Sequence, residues 1–208
     1  MKKIIYFMRH SEVLKGINHE FNNDDLQVTN EKSIISSNGE KIAEEISKLD
    51  EFSDLDLVVS SNYVRAMSTA KYFVNENSEF AVVDFFNERR HGVNSWNELP
   101  EDFERKQFED FNFKTMNGES LNDVKIRMLN GLDLLLNHTS AEKILVVSHA
   151  TCITAMLSTW CSVKYGENIK FKDNIIKDNH WNYLDSFKLE FENDELIDIS
   201  NLSLDIVL

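Results

Sequence analysis

Three short apolar runs, Lys3-Ile-Ile-Tyr-Phe-Met8, Leu55-Asp-Leu-Val-Val59 and Lys143-Ile-Leu-Val-Val-Ser148, constrain the fold more than any other feature of this chain. They are rich in β-branched residues and lack a sustained in-and-out alternation, so each predicts a strand covered on both faces. Strands of that kind need helices on either side, and the intervening sequence supplies them. After Asn38-Gly39, the segment from Glu40 to Leu49 places Ile42, Ile46 and Leu49 at helical spacing. Asn62 suits the N-cap of a helix from Tyr63 to Asn75, followed by a strand from Ala81 to Phe85. Ser120 or Asn122 can cap a long helix reaching about Asn137, with Val124, Met128, Leu132 and Leu135 on one face. A further helix is expected from Thr151 to Cys161.

The C-terminal part alternates as Phe187-Lys-Leu-Glu-Phe-Glu192, turns at Asn193-Asp194, and alternates again through Leu196 and Ile199, the pattern of a β-hairpin. Strands that alternate with helices and finish on a hairpin predict an α/β fold: a three-layer α/β/α sandwich with a mostly parallel mixed sheet. The stretch 86–118 holds the only proline, Pro100, and the scattered aromatics Trp96, Phe103, Phe108, Phe111 and Phe113, which reads as an inserted, partly helical lid. With no linker or repeat, residues 1–208 are expected to form one domain carrying that lid.

Charge excludes several function classes. Lys and Arg total 22 against 36 Asp and Glu, a formal net charge of −14, with no basic block, so neither nucleic acid nor an anionic membrane is an expected partner. No apolar stretch approaches the roughly 20 residues that span a bilayer, and no apolar region of signal-peptide type follows Lys2-Lys3, which predicts a soluble cytoplasmic protein. Cys152 and Cys161, nine apart and without a CxxC pattern, read as buried thiols rather than a disulfide or a metal site.

The three apolar runs finish in Arg9-His10, in Ser60-Ser61 with Arg65 close behind, and in Ser148-His149. Open α/β sheets bind ligands at the carboxyl ends of their strands, so these polar ends are expected to converge. The chain has six Arg against sixteen Lys, yet Arg9, Arg65, Arg89 and Arg90 all fall in the segments expected at that edge. Arginine is the side chain suited to planar, bidentate recognition of phosphate or carboxylate.

Arg9-His10, the run Ser60-Ser-Asn-Tyr-Val-Arg-Ala-Met-Ser-Thr-Ala70, Asn87-Glu88, Gly118-Glu-Ser120 and Val146-Val-Ser-His-Ala150 together resemble the histidine phosphatase superfamily, in its phosphoglycerate mutase-like branch. The similarity runs in order from about residue 3 to residue 161. The resemblance implies that His10 is the nucleophile, that Arg9 and Arg65 clamp the phosphate, that His149 is the second histidine contacting phosphoryl oxygens, and that Glu88 protonates the leaving oxygen. It implies a metal-independent phosphomonoester phosphatase with no cofactor, acting on a small phosphorylated substrate through a phosphohistidine. Glu98 and Glu101 are the other acids of the lid near enough in sequence to compete with Glu88. His19, His91, His138 and His180 are expected at the surface or in support, with His91 able to touch substrate.

Two positions depart from the family pattern. Ser11 stands where a glycine is usual, which requires the turn to accept a Cβ and is expected to bring a hydroxyl near the phosphate. Gly16 stands where the family places a polar residue, often Asn; Asn18 could replace it if the loop is two residues longer. The alternative functions are a phosphoglycerate mutase and a non-catalytic phospholigand-binding module. Only about 60 residues separate Glu88 from His149, short for the additional substrate-enclosing insert of the mutases. Pure binding would need the arginines but neither a nucleophile nor an acid.

Overall fold

The computed structural model describes residues 2–16, 25–202 and 204. Its main sheet is built from β1 (Lys2–Arg9), β2 (Leu57–Ser60), β3 (Glu79–Val82), β4 (Lys143–Ser148), β7 (Ser186–Glu192) and β8 (Glu195–Leu202). They lie in the order β3-β2-β4-β1-β7-β8. The first four are mutually parallel, and β7 and β8 add antiparallel at the β1 side, which gives the mostly parallel mixed sheet and C-terminal hairpin. Asn193 and Asp194 both take positive φ at the hairpin turn, a conformation these short polar side chains tolerate.

The uninterrupted apolar runs follow from burial on both faces. Ile5, Phe7, Ile144 and Val146 point into one core with α5 (Leu121–Asn137) and α6 (Ala150–Leu157). Tyr6, Met8, Leu145 and Val147 point into the other, with Ile42, Ala43 and Ile46 of α2 (Ser37–Ser47) and Ala66 and Ala70 of α3 (Val64–Ala70). Ser120 caps α5 in a reciprocal box with Asp123, which satisfies two otherwise orphan donors.

Several boundaries differ from the sequence expectation. Asn62 does not cap α3: Tyr63 occupies the cap position without a side-chain bond, while the Asn62 amide donates to Asp84 at 2.9 Å. The helix ends at Ala70 and tightens into a 3₁₀ turn over Lys71–Phe73. β3 likewise stops at Val82, because Asp84–Phe86 forms a 3₁₀ turn. Within 86–118 the regular structure is a 3₁₀ turn over Trp96–Glu98 and α4 (Phe103–Glu109). The expected helix after His149 starts at Ala150 and ends at Leu157, short of Cys161. Two features were not expected: α1 (Leu26–Lys32), and a separate small hairpin of β5 (Ile169–Phe171) and β6 (Asn174–Lys177). Among the described residues no helix is long and apolar enough to cross a membrane.

Candidate active site

Register brings the polar strand ends together. Arg9 lies opposite Ser148 across the β1–β4 pair, and Ser60 opposite Val147 across β2–β4. The backbone continues the match, since His10 N–H donates to the Ser148 carbonyl at 3.0 Å and Ser61 N–H to the Val147 carbonyl at 3.1 Å. His10, Ser61 and His149 therefore emerge side by side at the carboxyl edge of the sheet.

The two histidines are buried, with ring centroids 5.3 Å apart. Their hydrogen-bond partners assign the tautomers. His10 Nδ1 lies 2.8 Å from the Ser11 carbonyl, an acceptor, so it carries the proton. The Nε2 of His10 accepts from Arg65 Nε at 3.0 Å and is left with its lone pair. His149 is the reverse: Nδ1 accepts from Arg65 Nη2 at 3.2 Å, and Nε2–H donates to Ser61 Oγ at 2.9 Å. Burial and then Arg65 hold both imidazoles well below the ordinary histidine pKa, with Arg9 and, for His149, His10 and Arg127 adding to the effect. Both rings are neutral bases at pH 7.

Arg65 lies over the Tyr63 ring and anchors its far end on the Asn30 carbonyl at 2.6 Å. Arg9 donates to the Trp181 carbonyl at 2.6 Å and lies over the ring of Tyr183, 4.5 Å from its centroid. The next residue, Leu184, is buried with φ 64, a left-handed conformation that is strained for a γ-branched residue. Glu88 reaches the site from the segment after β3: Oε2 lies 3.8 Å from His149 Nδ1 and 4.0 Å from Arg65 Nη2. A cavity of about 300 Å³ opens beside it, with Tyr63, Asp84, Arg90, Glu119 and Arg127 in its wall.

Other sequence candidates fall elsewhere. Glu98 and Glu101 are exposed, and Glu98 accepts from the Asn94 backbone instead. The other two arginines of these segments, Arg89 and Arg90, part from each other. Arg89 turns into the lid, where it bonds Gln107, His91 and Glu104 and lies over Phe103. Arg90 is exposed on the cavity wall. His91 is buried between Trp96 and Phe103, held down to about 4 by burial and by Arg89. Ser11 is also corrected: its hydroxyl donates to the Gly39 carbonyl at 2.7 Å, and its Cβ sits without a positive φ. Gly16 has φ 78; Asn18 and His19 lie outside the described residues.

Sequence reasoning missed Arg127 and Cys152. Arg127 makes a two-pronged pair with Glu119, at 2.8 and 3.1 Å. Its signal was the one arginine of α5, beside the apolar face and about two turns past Gly118-Glu119-Ser120. Cys152 Sγ lies 3.1 Å from Glu88 Oε1. Both cysteines are unpaired and buried, and no cluster of three or more metal-ligating side chains forms among the described residues.

The fold has counterparts. A phosphoserine phosphatase mutant from Entamoeba histolytica superposes with a TM-score of 0.67 at 17% identity, covering 99% of this chain and 100% of that one. A mycobacterial glucosyl-3-phosphoglycerate phosphatase gives 0.66 at 16% identity, with 91% of each chain covered. No curated protein sequence matches. The family model of the histidine phosphatase superfamily (branch 1) matches residues 5–180, which takes in the carboxyl ends of β1, β2 and β4. The chain belongs to the histidine phosphatase superfamily, branch 1.

Proposed function

We propose that the protein is a metal-independent phosphomonoester phosphatase that works through a phosphohistidine on His10. The observation that carries this reading is the unprotonated Nε2 of His10, buried between two arginines and a second neutral histidine. A neutral imidazole attacks phosphorus in line, while Arg9 and Arg65 offset charge on the equatorial oxygens and His149 contacts them. The phosphorus–oxygen ester bond breaks as the phosphorus–nitrogen bond forms, and the departing oxygen takes the proton of the Glu88 carboxyl. Ionised Glu88 then removes a proton from water. The water oxygen attacks phosphorus, the bond to Nε2 breaks, and inorganic phosphate leaves.

The cavity beside Glu88 suits the leaving group, and residues 86–118 act as the lid of a single catalytic domain. Substrates are small and phosphorylated; the net charge of −14 disfavours nucleic acid. Two unpaired buried thiols fit a reducing, cytoplasmic setting.

The mutase alternative has less support, since the chain between Glu88 and His149 is taken up by α4, α5 and β4 with their connections. The deciding experiment gives the protein 3-phosphoglycerate with EDTA present, with and without 2,3-bisphosphoglycerate. Phosphate release without isomerisation, undiminished by EDTA, is expected. Primer-dependent formation of 2-phosphoglycerate faster than phosphate release would overturn the reading.

A further inference from the structure

The two carboxylate oxygens of Glu88 have different surroundings. Oε1 accepts the Arg89 backbone N–H at 2.8 Å and lies 3.1 Å from Cys152 Sγ. Oε2 is the oxygen that faces His149 and Arg65. A backbone amide can only donate, so Oε1 is kept as an acceptor and any proton on the carboxyl belongs on Oε2. The thiol has one proton, with two acceptors in reach: Glu88 Oε1 and the Asn87 carbonyl at 3.3 Å. Burial and the adjacent Glu88 push Cys152 well above the ordinary thiol pKa, so it stays protonated and able to donate.

We propose that Cys152 is a positioning residue that fixes the Glu88 carboxyl so that Oε2 carries the transferable proton and faces the leaving oxygen. The proposal rests on the phosphatase reading of the site. Cys152 lies in the first turn of α6, three residues after His149, so the same strand-to-helix junction places the second histidine and the support of the acid. The sulfur is itself braced: Arg127 Nη2 approaches it at 3.9 Å, and Arg127 is pinned by Glu119. Glu119 in turn accepts the Arg90 backbone N–H at 2.9 Å, tying this support to the segment that bears Glu88.

The choice of a neutral donor has a chemical reason. Glu88 must hold a proton in one step and accept one in the next, so a cationic donor on its carboxylate would favour the ionised form and weaken the acid step. A thiol is a weak donor that also fills a buried position. It restrains the carboxyl without bringing a charge, and a hydroxyl at the same place would do the same.

The test measures single-turnover phosphorylation of the full chain with glycerol 2-phosphate, a poor leaving group, and with 4-nitrophenyl phosphate, a good one. Cys152→Val keeps the volume and removes the donor; Cys152→Ser keeps a donor; Glu88→Gln is the control. For Cys152→Val, the alkyl rate is expected to fall roughly tenfold or more, within the range of general-acid contributions, while the nitrophenyl rate changes less than about threefold. Cys152→Ser should recover most of the alkyl rate, and thermal midpoints report whether each variant is folded. A purely structural role would slow both substrates together.

Equal slowing in Cys152→Val, no slowing, or a folded Cys152→Ser that recovers nothing would each overturn the proposal. A selective fall of the alkyl rate in Glu88→Gln that is absent from Cys152→Val would remove Cys152 alone. If Glu88→Gln itself shows no leaving-group dependence, the acid assignment fails and the role of Cys152 fails with it.

Discussion

Arg65 directs its Nε–H at the Nε2 of His10 from 3.0 Å, so the guanidinium holds the nitrogen to which we assign the attack on phosphorus. A second N–H of the same guanidinium reaches His149 at 3.2 Å. One planar group thus bonds both imidazoles, and its charge adds to their burial in keeping them neutral.

Arg65→Lys should fail almost as badly as Arg65→Ala, because an ammonium is a point charge that cannot span both rings. Losses of about 10²–10³ in kcat/KM are expected for either, the size seen when a preorganised transition-state donor is removed. Steady-state kinetics with 4-nitrophenyl phosphate measure this. A lysine variant within a few-fold of wild type would show that only charge is needed.

The turn after His10 depends on a contact between backbones. A Cβ on Gly39 would strike the carbonyl of Glu12, and the Gly39 carbonyl is the acceptor for the Ser11 hydroxyl. Gly39→Ala should therefore be strongly destabilising, by about 2 kcal/mol or more through overpacking. Ser11→Ala should cost about 1–3 kcal/mol, chiefly through the buried acceptor left unsatisfied, with turnover largely retained because the hydroxyl is engaged away from the reacting atoms. Chemical denaturation and nitrophenyl phosphate turnover test both; a Ser11→Ala variant that folds but is inactive would return the hydroxyl to the phosphate site.

Stability should fall as pH drops below 6.5. His10, His91 and His149 are all held below that value in the folded chain, His91 to about 4, whereas unfolded they titrate near it. In that window the unfolded state binds more protons, so unfolding free energy declines by about 1.4 kcal/mol per pH unit for each such imidazole. His91→Asn should remove one share of the slope between pH 6.5 and 4.5. Denaturation across that range checks the sign; an unchanged slope in His91→Asn would contradict the buried neutral state.

β1, β2 and β4 were legible because each is buried on both faces and so excludes polar residues until it ends. The same abrupt endings marked His10, Ser61 and His149, and the motif around Arg65 marked its place on the following helix. Arg89 and Arg90 were not separable, because they lie in irregular chain where no period says which side chain turns inward. α1 was invisible for a related reason: of its seven residues only Leu26 is buried, so it shows no amphipathic stripe. The β5–β6 hairpin turns at Lys172-Asp173, both at positive φ, a pair without the Asn-Gly or Asp-Gly signature of such turns. The contact of Cys152 with Glu88 depends on packing between segments 64 residues apart, which no local pattern records.

The central claim is that His10 carries the phosphoryl group, and rapid quenching with radiolabelled substrate tests it most directly. The protein should trap a labelled adduct that is stable to base and labile to acid, and peptide mapping should place it on His10. His10→Ala should abolish both the adduct and turnover. A labelled adduct that persists in His10→Ala, or one that is acid-stable and maps to another residue, would contradict the account.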